Sequence, residues 1–157
     1  MRDLIGTSID LKVLRRGAGR DLLSNLYVNQ AGKQRIAEQL RKHPADGPWL
    51  LRPILLRGED DANTAIGYLN FHGGPDDEGR VEVGYTLLPS ARGHGYAVEA
   101  VRAAVEWAIE VHGIRRFRAA IAPDNERSRN LILKLGFHQT GEQWDEVDGL
   151  ELVYELG

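Results

Sequence analysis

The octapeptide Ser90-Ala-Arg-Gly-His-Gly-Tyr-Ala97 constrains this chain more than any other stretch. It is an Arg-Gly-x-Gly turn between an apolar run ending in Leu87-Leu88-Pro89 and an amphipathic helical pattern. Two closely spaced glycines let the backbone come near a ligand, and a helix N-terminus presents N–H groups with no intrahelical partner. That combination suits an anion, above all a phosphate or pyrophosphate.

The neighbouring residues decide which phosphate. A Walker A loop needs Lys-Ser/Thr after its second glycine, whereas Tyr96-Ala97 follows here. A dinucleotide fingerprint needs a third glycine, but Val98 stands in its place and the turn lies late in the chain instead of after the first strand. A net charge of −3 gives no electrostatic reason to expect nucleic acid. The local clusters Arg115-Arg116 with Arg118, and Arg127 with Arg129, read as solvated faces.

Composition narrows the class further. With 42% hydrophobic and 27% charged residues, 157 residues are read as one globular domain spanning 1–157. There is no cysteine, which removes disulfides, thiolate metal sites and any acyl-cysteine intermediate. The N-terminus lacks the apolar core of a signal peptide and no run approaches a membrane span. The expectation is a cytoplasmic protein with no metal and neither nucleic acid nor membrane as a partner.

Periodicity orders the elements. Ile9 to Leu14 alternates as a first strand, and Asp21 to Lys42 is helical with an interruption near Asn29 and Gly32. His43 to Pro48 is a turn-rich break. Strands are predicted at Leu50–Leu56, Ala65–Phe71 and Arg80–Leu88, with the polar segment His72–Gly79 joining the last two as antiparallel neighbours. From Gly95 the period changes to 3.6, placing Ala97, Val101, Val105 and Ala108 on one helical face up to a stop at Gly113. Arg116–Ala122 alternates again. Asp124 or Asn125 caps a short helix ending at Leu135, and Asp148-Gly149 turns a last hairpin of His138–Glu146 and Leu150–Leu156. The result is an α/β (α+β) domain with one mostly antiparallel sheet and helices on both faces.

The stretch from Val81 to Phe137 resembles the GNAT superfamily of acyl-CoA-dependent N-acetyltransferases. The matching pieces are Glu82-Val-Gly-Tyr85, Arg92-Gly-His-Gly-Tyr-Ala97 with Glu99-Ala100 behind it, and Asn125-x-x-Ser128 leading into Lys134-Leu-Gly-Phe137. They cover about the last half of the chain, and their wording is most similar to the branch of Rim-type ribosomal-protein N-acetyltransferases. One departure is Ser90, where the superfamily usually has Gln or Arg. Backbone amides do most of the work at such a turn, so the change is expected to be tolerated.

The resemblance implies acetyl-CoA as cosubstrate and a primary amine as acceptor, joined directly in a ternary complex. The amides of Arg92, Gly93, His94, Gly95 and Tyr96, with Ala97 behind them, would hold the pyrophosphate; Leu87 and Leu88 would meet the pantetheine and the thioester carbonyl. Asn125, Ser128 and Asn130 would contact CoA. An ammonium has no lone pair, so a base is needed, and Glu82 is the first candidate. Glu142, Asp145, Glu151, His72 and His94 are lesser ones. Ser128 is the candidate donor to the leaving thiolate, because the family's tyrosine, five residues before the Phe, is replaced by Ile132. That replacement keeps a second reading open, a GNAT-fold module that binds acyl-CoA with weak or no turnover. Acceptor specificity falls to Gly19–Pro48 and Trp144–Leu150, which name no substrate. Trp49 and Trp144 are expected as core or partly buried packing. A homodimer is left open.

Overall fold

Alternating apolar residues make strands only where a sheet covers one or both of their faces, and this chain supplies such a sheet. The computed structural model describes residues 4–5, 9–11, 30–58 and 64–157. In chain order its elements are β1 (Leu4–Ile5), β2 (Ile9–Leu11), α1 (Gln30–Lys42), β3 (Arg52–Leu56), β4 (Thr64–Phe71), β5 (Arg80–Leu87), α2 (Tyr96–His112), β6 (Arg116–Ile121), α3 (Glu126–Lys134), β7 (His138–Asp145) and β8 (Gly149–Leu156). The strands lie in the order β1-β2-β3-β4-β5-β6-β8-β7. Every neighbouring pair is antiparallel except β5–β6, which the crossover through α2 makes parallel.

Register assigns the faces. Val83 pairs with Phe71, Tyr85 with Leu69 and Leu87 with Gly67. Val81 stands beside Phe117, and Ala119 and Ile121 meet Tyr154 and Leu152. These residues form one face, on which α2 lays Ala100, Val101, Ala104, Trp107 and Ala108, all buried. Arg52 on the same face is fully buried, its guanidinium 4.2 Å from the Trp107 ring and Nη2 donating to Pro48 O at 2.6 Å. The opposite face carries Glu82, Gly84 and Thr86 on β5 and Arg118 on β6. There α1 approaches, Gln39 Nε2 donating to His72 O at 2.9 Å.

Several expectations are refined. The strand read over Ile9–Leu14 is present at Ile9–Leu11, with 12–14 outside the described residues, and Leu4–Ile5 adds a short strand not expected. Of the helical pattern over Asp21–Lys42, residues 21–29 lie outside the described residues, and α1 runs through Gly32 without a break. A single glycine costs about 1 kcal/mol in a helix, which packing can offset. The buried stripe of α2 is centred on Ala100, Ala104 and Trp107 instead of Val105, which is half-buried. Alanines at the contact let the helix approach the sheet closely, so the small residues mark the core face. Trp49 is core, packed edge-on to Phe71 at 5.6 Å. Trp144 is the reverse, 76% exposed on the last hairpin.

Candidate active site

Strands β5 and β6 pair only at Arg80–Arg116, Val81–Phe117 and Glu82–Arg118. Beyond Glu82 they separate, although β5 continues to Leu87 and β6 to Ile121. Among the described residues, the edge of β5 from Val83 to Leu87 therefore has no strand partner on that side. Into this splay opens a cleft of about 820 Å³, lined by the end of β5 at Tyr85, Thr86 and Leu87, by the turn and first residues of α2 except His94, and by Asn125 with one side of α3 as far as Lys134.

The turn has the geometry its sequence promises. Gly93 and Gly95 have φ of 82° and 84°, values that side-chain-bearing residues rarely adopt, and the space beside both is open. Gly95 caps α2 with no side-chain hydrogen bond, so among the described residues no side-chain cap takes up the first-turn N–H groups, which sit beside the cleft at the positive end of the helix dipole. Arg92 is exposed, and its Nε donates to Leu87 O at 3.1 Å, tying the turn to the end of β5.

Of the residues predicted to hold the cosubstrate, Leu87, Arg92, Gly93, Gly95, Tyr96, Ala97, Asn125, Ser128 and Asn130 line the cleft. Leu88 does not; its N–H is spent on Ile66 O. His94 is also outside, its ring stacked on Tyr96 at 5.4 Å. Asn125 caps α3, its Oδ1 accepting from Ser128 N–H at 3.2 Å. Ile132 is fully buried, so no polar group reaches the cleft from that position.

Sequence reasoning passes over Tyr85 as a polar residue of the site. Its hydroxyl is buried and makes no hydrogen bond of ordinary geometry. Burial pushes its pKa up, and the nearby Ser128 hydroxyl softens the rise without reversing it. A signal is available: a tyrosine one residue past Gly84 at the end of a core strand needs somewhere to put its hydroxyl.

On the other face of the splay lies a polar chain. His72 Nδ1 is 3.1 Å from Glu82 Oε1, and Arg118 Nη1 is 3.6 Å from Glu82 Oε2. Arg118 Nη2 also donates to Gln143 Oε1, and Gln143 Nε2 donates to Glu151 Oε2 at 2.8 Å. The His72 hydrogen bond, aided by the charges of His72 and Arg118, holds the Glu82 carboxyl below its ordinary value against desolvation and Asp145. Glu82 does not line the cleft; it stands at the apex of the splay. Asp145 accepts from the N–H groups of Val147 and Asp148, which closes the hairpin turn, and Glu142 is exposed.

The site fits an acyl-CoA: amides for the pyrophosphate, an unpaired strand edge for an amide-bearing arm, and Arg127 and Lys134 on the rim for further phosphate. Residues 23–138 match the family model described as acetyltransferase (GNAT) domain. The N-acetyltransferase YoaA of Bacillus subtilis (strain 168), itself uncharacterized, is 33% identical over 81 residues, 52% of this chain and 46% of that one. The chain thus spans about half the length of the curated relatives it matches. Among solved structures, the ribosomal-protein-S5-alanine acetyltransferase of Vibrio fischeri superposes with a TM-score of 0.72 at 17% identity, covering 99% of this chain and 96% of that one. The ribosomal L7/L12 α-N-protein acetyltransferase RimL in complex with coenzyme A gives 0.74 at 16%, covering 98% and 97%. At these identities the structural likeness is one of fold.

Proposed function

The chain belongs to the GNAT acetyltransferase family, and on that footing we propose that it transfers an acetyl group from acetyl-CoA directly to a primary amine, as the Rim-type enzymes do to protein N-termini. The observation that carries the reading is the splay of β5 from β6 beside an uncapped helix N-terminus. The cleft side takes the thioester, with its pyrophosphate on the turn and its arm along the free edge of β5. The amine enters from the face that carries Glu82, so the two substrates meet across the gap between the strands.

A backbone N–H near Leu87 would steady the charge that develops on the thioester oxygen. Ser128, which lines the cleft, would donate to the departing thiolate, a group of pKa about 8.5 by analogy with cysteine. The proton leaving the amine passes to Glu82 or to the imidazole that Glu82 holds. With no cysteine in the chain, no acyl-cysteine intermediate can form.

Binding is the direct test. CoA at one hundred times its dissociation constant stabilises the folded state by about 2.7 kcal/mol, a rise in melting temperature of roughly 5–10 °C for a domain of this size. No rise at millimolar CoA or acetyl-CoA overturns the reading. The buried Ile132 favours a second one, an acyl-CoA-binding module without turnover. A panel of amines and N-terminal peptides separates the two by whether CoA is released.

A further inference from the structure

We propose that His72 is the general base of the transfer and that Glu82 is the carboxylate that positions it. The inference rests on the acetyl-transfer reading above and names the residue that accepts the proton.

Glu82 is badly placed to accept a proton itself. Oε1 is held by His72 and Oε2 by Arg118, and both partners stabilise the anion. The imidazole is in the converse position. Its Nδ1–H donates to Glu82, which leaves the Nε2 lone pair as the basic site. Nε2 carries no hydrogen bond among the described residues, and the side chain is 55% exposed on the face from which the amine comes.

Placement on the strand points the same way. The His72 backbone is pinned from two sides: its N–H donates to Glu82 O at 3.0 Å, and its carbonyl accepts from Gln39. The ring then lies across Gly84, where a Cβ would come within 2.8 Å of Nε2. Gly84 is two residues past the last β5–β6 pair, at the start of the splay and next to Tyr85 of the cleft. The missing side chain at Gly84 thus brings Nε2 over the gap through which amine and thioester must meet. The charged groups around this pair are Arg118 from β6, Asp145 from β7, Arg35 opposite Asp145 from α1, Glu151 through Gln143, and Asp46, which holds Gln39 and Gly74.

The proton inventory closes. An ammonium gives one proton to Nε2, directly or through water, and its freed lone pair forms the C–N bond at the thioester carbonyl carbon. The C–S bond breaks, the sulfur keeps the electron pair, and the second nitrogen proton goes to the thiolate through the cleft hydroxyls. The imidazolium then returns its proton to solvent.

The experiment compares wild type with His72→Asn and Gly84→Ala. The carboxamide introduced by His72→Asn retains an N–H near the Nδ1 position for Glu82 but has no basic nitrogen. His72→Asn is expected to lower kcat by about 100-fold, the usual scale of general-base catalysis, and to abolish the acid limb of its pH profile while the CoA dissociation constant stays unchanged. Gly84→Ala leaves the imidazole chemically intact but displaces it, and is expected to lower kcat with CoA affinity kept. Nitrogen-15 resonance of wild-type His72 at neutral pH is expected to show the Nδ1–H tautomer. A His72→Asn enzyme with wild-type kcat and acid limb overturns the proposal, and so does an Nε2–H tautomer, even if that variant fails to fold. A wild-type protein that binds CoA but acetylates no amine overturns the acetyl-transfer reading itself, and the base role with it.

Discussion

A buried hydroxyl without a well-formed hydrogen bond costs up to roughly 1–3 kcal/mol, and among the described residues Tyr85 carries such a group on the wall of the cleft, with only the Ser128 hydroxyl near it. Natural chains keep a cost of this kind where a ligand removes it. Tyr85→Phe deletes the oxygen and keeps the ring that packs against Leu69 and the core. The ligand-free variant is therefore expected to melt a few degrees above wild type. Its CoA-induced shift is expected to be smaller, because the hydroxyl that CoA would satisfy is gone. Thermal unfolding with and without CoA checks both signs; an unchanged ligand-free melting temperature refutes the account. The tyrosine itself is visible in Glu82-Val-Gly-Tyr85, but its role is not, because alternation assigns a residue to a face and says nothing of what its terminal atom meets.

At the scale of elements, Gly67 of β4 pairs with Leu87 of β5 at a point with no room for a side chain. A Cβ at Gly67 would collide with the Thr86 carbonyl and stand 3.0 Å from Leu87 Cα. Gly67→Ala must push the strands apart or bend them, at a cost of about 1–3 kcal/mol typical of overpacking. It would also move the segment proposed to hold the thioester oxygen. The expected result is a lower urea midpoint together with a fall in kcat/KM larger than the change in CoA affinity. Most elements are legible: β5 and β6 from alternation, α2 from its period and its Gly113 stop, the last hairpin from Asp148-Gly149. The splay is not legible in the pattern, since Val81, Val83 and Leu87 keep the same alternation on both sides of Glu82. Gly67 looks like any isolated glycine in a strand.

The whole molecule couples this site to its response to acid, because the Glu82 carboxylate joins segments that are distant in the chain. Hairpin register brings His72 opposite Glu82 across the connection between β4 and β5, and no local pattern in either segment announces the pair. The same holds for Arg118, which reaches Glu82 from the parallel strand. Glu82 has its pKa lowered chiefly by the His72 hydrogen bond, Asp76 by the Arg80 N–H and Asp145 by the Asp148 N–H. A carboxylate whose pKa is lower in the folded state binds fewer protons there than when unfolded. Its contribution is therefore complete above the ordinary value, 4.5 for Glu82, and is lost as pH falls through the folded value. Asp76 is exposed and Asp145 is held by turn N–H groups near the surface, where solvent screens both, so the partly buried Glu82 should dominate the slope. Glu82→Gln removes the titrating group and is expected to flatten the decline of the urea midpoint between about pH 5 and pH 3, relative to wild type. Equal slopes in the two proteins would show that the His72–Glu82–Arg118 contact adds nothing to folding, leaving the hairpin turns alone to explain any acid sensitivity.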